Sequence, residues 1–174
     1  MEFKSNMVNI NSEAYIEKFS GVTFSPIGDK RVAEFARLAI TANEGKFTED
    51  VYFLNAKNGK VISHQKSGEY GGSVYLPLTN DKMIALHNHP NSASFSFEDI
   101  VTLNNCPEIK TMIAVGHNGC VYFLEVNNGN RLDLSDKSCV DGLKMSWQRD
   151  SMKYGKEKAI DLLIESLRWL YYVK

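Results

Sequence analysis

Two segments near the amino terminus space their apolar residues as amphipathic helices do. Residues 12–19 predict a short helix with Ser12 as its N-cap, and residues 29–43 predict a longer second helix. Residues 43–45 supply the stop signal of the second helix. Its apolar stripe consists of Val32, Phe35, Ala36, Leu38 and Ala39. Each helix is therefore expected to pack one face against the rest of the protein.

The apolar pattern then changes to that of β-strands. Asn-Gly between two apolar runs is a strong signal for a two-stranded hairpin. One such hairpin is predicted over residues 51–62 with Asn58-Gly59 at its turn, and another over residues 111–126 with Asn118-Gly119. A further strand is predicted at residues 73–76, after two glycines.

The remaining apolar segments complete a pattern of mixed helices and strands. Residues 83–86 form a short, uniformly apolar run, as expected of a strand buried on both faces, and Pro90 ends it. A helix is predicted at residues 97–104 and a helical region at about 137–173. The apolar stripe of that last region consists of Ile160, Leu163, Ile164, Leu167 and Leu170. This order predicts an α/β fold in which helices cover a central mixed β-sheet.

Composition and charge narrow the class of protein. The chain, 1–174, fits a single domain, and its 43% apolar and 24% charged residues are typical of a globular protein with a sizeable core. The net charge is −1 with no basic cluster, so nucleic acid is not an expected partner. No signal peptide or membrane-length apolar run is recognised, and a cytoplasmic location is expected. Cys106, Cys120 and Cys139 fit buried reduced thiols better than disulfides.

The most specific feature of the chain lies at the end of the 83–86 run. If that strand continues to His89, then His87 and His89 occupy positions i and i+2 and point to the same face. Asp99 follows ten residues after His89. Two imidazoles and a carboxylate make a three-ligand set, and an open fourth position for water marks a catalytic zinc site. Burying both imidazole rings without groups that bind their nitrogen atoms would cost free energy, so a metal site is predicted.

Ser96 and Asp99 also allow a purely structural interpretation. Ser-x-x-Asp before an apolar run is a signature of a helix start, with Ser96 as the N-cap and Asp99 at the third helical position. Phe95 and Ile100 occupy the positions of a hydrophobic staple. The two interpretations are compatible, because a fixed helix start would help to aim Asp99 at the imidazoles.

His-x-His-Pro with a downstream Ser-x-x-Asp resembles the JAMM metalloprotease motif of the MPN/JAB domain superfamily. Asn88 occupies the middle position of this motif, and the resulting His-Asn-His-Pro resembles the form found in the bacterial RadC-like and phage-associated branch. The resemblance covers about residues 30–130 and implies a single-domain, three-layer, cytidine-deaminase-like fold, followed by the helical region at about 137–173. The loop between His89 and Ser96 has six residues, one fewer than is usual in that family.

The resemblance implies a zinc-dependent peptidase or isopeptidase that acts on a protein or peptide. The two histidines and Asp99 would hold Zn²⁺ with water in the fourth place. A glutamate near the start of an earlier strand serves as general base in that family. Glu49 matches it best and Glu44 is the second candidate, while the alternative for both is a solvated loop carboxylate. The Ser96 hydroxyl would stabilise the oxyanion.

Other functions stay open at the level of sequence. A non-catalytic MPN-like binding or assembly module, bacterial or phage-related, would keep the metal in a structural or vestigial role. A role on nucleic acid is disfavoured by the near-neutral charge. The C-terminal helix is also compatible with a homodimer contact. His64 and His117, which lie beside turn signals, are expected to be exposed.

Overall fold

The centre of the structure is an open mixed β-sheet of six strands. The computed structural model describes residues 9–44, 46–66, 74–126, 131, 137–167 and 170–173, the last four by their backbone alone. The strands are β1 Asp50–Asn55, β2 Val61–Lys66, β3 Met83–His89, β4 Ile109–Gly116, β5 Val121–Val126 and β6 Leu170–Val173. Their order across the sheet is β2-β1-β3-β4-β5-β6. The central pair β3 and β4 runs parallel, and the other neighbouring pairs run antiparallel.

Helices cover both faces of this sheet. They are α1 Glu13–Glu17, α2 Pro26–Ala42, α3 Phe97–Asn105, α4 Lys137–Tyr154 and α5 Lys156–Leu167. One apolar cluster joins α1 and α2 to one face, and a second cluster joins α3 and α5 to the other face. Helix α4 packs mainly on α5, and none of its described residues is buried. The predicted α/β class, with helices on a central mixed sheet, is confirmed.

The side chains of β3 point alternately to the two faces of the sheet, and this alternation decides which of them meet the helices on each face. Every residue of this strand is buried, as its uniformly apolar start predicts. Ile84 and Leu86 pack in the α2 cluster, while Met83 and Ala85 pack in the α3 cluster. Continuing this period of two puts both histidines on the α3 side and Asn88 on the α2 side.

The elements predicted from local signals are present. Both hairpins form, with the predicted Asn-Gly sequences at their turns. Ser12 caps α1 by accepting the backbone N–H of Tyr15. Helix α2 begins at Pro26, three residues before the predicted start at Asp29, because Ser25 accepts the Gly28 N–H as N-cap and proline suits the first turn.

The strand predicted at residues 73–76 is wrong for residues 74–76, which adopt no strand; residue 73 lies outside the described residues. The backbone of Tyr75 is satisfied differently. Its N–H donates to Oε1 of Gln65 and its carbonyl accepts from Nε2 of the same side chain. The side-chain amide of Gln65 therefore makes the two backbone hydrogen bonds that a neighbouring strand would otherwise make. Pro77 comes directly after residues 74–76.

The helical prediction over 137–173 is correct for α4 and α5 and wrong at its end. Gly155, with φ of +88°, separates the two helices. Residues Leu170–Val173 form β6, which pairs antiparallel with β5 at the edge of the sheet. This segment is rich in aromatic and β-branched residues, which suit a strand, and β5 offers it a free edge.

Two further details of the sequence interpretation need correction or restriction. Cys106 is buried as predicted, but Cys120 is only partly buried and Cys139 lies at an exposed position of α4. Among the described residues, no helix has both the length and the apolar character that crossing a bilayer requires.

The two C-terminal helices should differ sharply in their contribution to stability. Leu163 of α5 is 5% exposed and packs in the core, whereas Met152 of α4 is 84% exposed. Leu163→Ala is expected to lower the free energy of unfolding by about 2–5 kcal/mol because it leaves a cavity. Met152→Ala is expected to change it by less than about 0.5 kcal/mol. Urea denaturation of both variants checks this: a small loss for Leu163→Ala would contradict the core position of α5, and a large loss for Met152→Ala would contradict the exposed position of Met152.

Candidate metal centre

Three side chains converge at the end of β3. The Nε2 atoms of His87 and His89 are 2.9 Å apart. Oδ1 of Asp99 lies 3.5 Å from Nε2 of His87, and Oδ2 lies 3.6 Å from Nε2 of His89. One possible ligand atom from each residue falls within 4.8 Å of the others, and both histidines are buried. This group could therefore hold a metal ion.

The start of α3 aims Asp99 at the histidines. Its Oδ2 accepts hydrogen bonds from the backbone N–H of Ser96 at 2.7 Å and from the Ser96 hydroxyl at 2.8 Å. The Asp99 N–H donates back to Oγ of Ser96 at 3.1 Å, which completes a capping box. Phe95 and Ile100, at the staple positions, are both buried in one cluster. The helix-start interpretation is confirmed, and the same carboxylate also faces the imidazoles.

A hydrogen bond to a carbonyl sets the orientation of the second imidazole. Nδ1 of His89 lies 3.1 Å from the carbonyl oxygen of Ala93. A carbonyl can only accept, so Nδ1–H donates, and the neutral ring presents the Nε2 lone pair to the cluster. In the contact between the two Nε2 atoms, His87 is then the donor. Bonds of this kind hold metal-ligating histidines in the correct tautomer.

The pKa values of the three groups move in different directions. Burial acts to lower the pKa of His87, but the charge and hydrogen bond of Asp99, with the charge of Glu49, leave that pKa above its ordinary value. Burial and the charge of His87 lower the pKa of His89. Burial acts to raise the pKa of Asp99, and the two histidines together with the Ser96 N–H bring it well below its usual range. The pKa values of the two neighbouring histidines are thus moved in opposite directions.

Glu49 is brought to this cluster and Glu44 is not. Glu49 directly precedes β1, is half-buried, and lines the same cavity as His87 and Asp99. Its charge contributes to the pKa of both histidines of the cluster. Glu44 is exposed, and its charge acts on the pKa of His117. Position therefore favours Glu49 over Glu44 as the candidate base.

A buried asparagine between the two histidines organises the opposite side of β3. Asn88 is fully buried, and its Oδ1 accepts the Asp50 N–H at 2.7 Å and Nδ2–H of Asn43 at 3.4 Å. Its Nδ2 donates to the Thr48 carbonyl at 3.1 Å and to Nε2 of His117 at 3.0 Å. Both donors and both acceptor positions of the amide are used, which fixes its orientation.

This amide connects the two candidate ligands His87 and His89 to the candidate base. Its backbone lies between the two histidines, and its side chain holds the backbone of Thr48 and Asp50 on either side of Glu49. His117, expected to be exposed, is instead half-buried, and burial lowers its pKa. The sequence interpretation missed this network. The available signal was the alternation of β3, which turns residue 88 towards a covered face where an amide needs partners.

No protein-family model, curated protein or solved structure matches this chain. The resemblance to the MPN/JAB superfamily therefore depends on the motif residues alone and stays a prediction.

Asn88→Asp tests the network behind the cluster. The change replaces a donor by an acceptor, so the Thr48 carbonyl would face a carboxylate oxygen. We expect the free energy of unfolding at neutral pH to fall by about 1–3 kcal/mol, measured by urea denaturation. Asn118→Asp is the matched control, since that exposed residue uses Oδ1 to accept the Cys120 N–H and aspartate keeps this bond. Equal stability of the two variants would contradict the network.

Metal binding should weaken as the pH falls, because ring protons compete with the metal. The raised pKa of His87 means that competition begins above the ordinary histidine value of about 6.5. Calorimetric titration with Zn²⁺ from about pH 8 to about pH 5.5 measures this loss. His87→Ala/His89→Ala is expected to abolish binding. His64→Ala should retain it, because that ring stacks on Tyr52 away from the cluster. Equal affinity in the double variant, or no pH dependence, would contradict the site.

Proposed function

We propose that the protein is a zinc-dependent hydrolase of amide bonds, a metallopeptidase or isopeptidase of the MPN/JAB type. The observation that carries this proposal is the convergence of His87, His89 and Asp99 beside Glu49. A pair of imidazoles with one carboxylate and a nearby second carboxylate supplies both ligands and a base. A protein or peptide is the proposed substrate.

The donor set suits zinc. Two imidazole nitrogens and one carboxylate oxygen are ligands that zinc accepts in catalytic sites, where three protein donors leave one position open. Bound zinc would supply Lewis acidity, which lowers the pKa of water and polarises a carbonyl group. His87 and His89 would bind as neutral rings, so the proton on His87 would leave when the metal enters.

Glu49 is proposed as the general base and acid. A carboxylate beside the cluster can accept a proton from the attacking water and return it to the leaving amine. Its place depends on Thr48 and Asp50, whose backbone groups are held by the Asn88 amide. The base would therefore be held by the same strand that presents the ligands.

Ser96 is proposed to stabilise the oxyanion. In the structure its hydroxyl donates to Oδ2 of Asp99. A donor role towards substrate requires the hydroxyl to turn away from that oxygen, which would keep its second hydrogen bond, from the Ser96 N–H. The bond to Asp99 is the observation that favours the second candidate function, a non-catalytic binding or assembly module with a structural metal.

Glu49→Gln separates the two candidate functions. The variant keeps the metal ligands, so it should bind Zn²⁺ as the parent does while hydrolysis falls by about 10²–10⁴-fold. Cleavage of a mixed peptide library by the zinc-loaded protein, followed by mass spectrometry, measures this. Glu44→Gln is the matched control and should cleave like the parent. No zinc-dependent cleavage by the parent, or full activity of Glu49→Gln, would favour the binding module.

A further inference from the structure

A large cavity opens beside His87. Its volume is about 480 Å³, within the range of small-molecule and side-chain binding sites. Its charged lining groups come from the cluster and its neighbours: Glu49, His87, Glu98 and Asp99. Away from these residues the lining is mainly apolar.

The floor of the cavity is the α3 face of the sheet. Phe53, Ala85 and Met112 lie side by side on β1, β3 and β4, since Ala85 pairs with both of the others. The central side chain of this row is the smallest. The two larger neighbours therefore enclose a space directly next to His87, which lies two residues further along β3.

The wall and the mouth of the cavity are also largely apolar. Val101 of α3 and Cys106, which directly follows this helix, line the wall together with the exposed Thr102. Val74 and Leu76 line the mouth, and 38% and 40% of their surfaces are exposed. When an apolar group covers apolar side chains that are in contact with water at the mouth of a cavity, the free energy of the system falls.

The distribution of polarity defines the occupant. A group that fills this cavity would place an apolar part over Ala85 and a polar part beside the metal cluster. An amino-acid residue with a bulky side chain has this form, because its amide bonds lie next to the side chain. The cavity is continuous with the candidate catalytic groups, so the side chain and the amide to be hydrolysed would occupy adjacent positions.

We propose that this cavity is a substrate subsite that binds the bulky apolar side chain, aliphatic or aromatic, of the residue adjoining the hydrolysed amide. The inference rests on the proposed function and adds a preference to it. Thr102 and Asn105 are exposed residues of α3 that line the cavity, so a bulkier side chain at either position would occupy the space.

Nuclear magnetic resonance with two neutral probes tests the subsite without catalysis. N-acetylphenylalanine methylamide is expected to bind roughly 10-fold or more tightly than N-acetylglycine methylamide. Its saturable shifts should centre on Phe53, Ala85 and Thr102. Thr102→Trp or Asn105→Trp, both at exposed positions that line the cavity, should fill it and remove the difference between the probes.

Thr41→Trp is the matched control. Thr41 is also an exposed helical threonine, but it lies on α2, on the opposite side of the sheet, so the probe preference should persist. Equal binding of the two probes, or a preference that survives both cavity-filling variants, overturns the subsite. Probe binding is measured without hydrolysis, so the two proposals can fail separately. Absence of zinc-dependent cleavage would contradict the proposed function, and it would not change the outcome of the probe-binding experiment.

Discussion

The burial of two imidazoles at the end of the central strand, beside a half-buried carboxylate from α3, is the constraint on which the site depends. Ionisable groups in such a position are costly unless they are paired and hydrogen-bonded. Here Asp99 raises the pKa of His87 against the effect of burial, and the Ala93 carbonyl sets the tautomer of His89. A proton and a metal ion would compete for the same imidazole nitrogen atoms. The three side chains are thus arranged so that they could hold a metal ion.

One strand serves two purposes because its side chains alternate. On one face β3 presents both histidines to α3, and on the other its asparagine holds the loop before β1. The two candidate ligands and the candidate base are thereby connected through a single peptide segment. A change at Asn88 would act on Glu49 without touching the ligands, and a change in α3 would act on Asp99. The chemistry proposed for the site requires both connections.

Local signals accounted for much of the fold. Each of the hairpins, the buried strand and the start of α3 is determined by residues that lie close together in the sequence. The approach of Asp99 to the histidines is determined in the same way. Features that depend on distant pairing were missed. Strand β6 forms because β5 offers an edge, and residues 74–76 stay outside the sheet because Gln65 satisfies Tyr75. The approach of Glu49 depends on the pairing of β1 with β3, which the sequence interpretation reached only through the family resemblance.

Zinc K-edge X-ray absorption on the stoichiometrically loaded protein tests the central claim most directly. The account predicts a four-coordinate ion with two imidazole ligands and first-shell nitrogen and oxygen distances of about 2.0–2.2 Å. The imidazole scattering should disappear when both histidines of β3 are replaced. A shell of six oxygens, or an imidazole signal unchanged by those replacements, would contradict a metal centre at the end of β3.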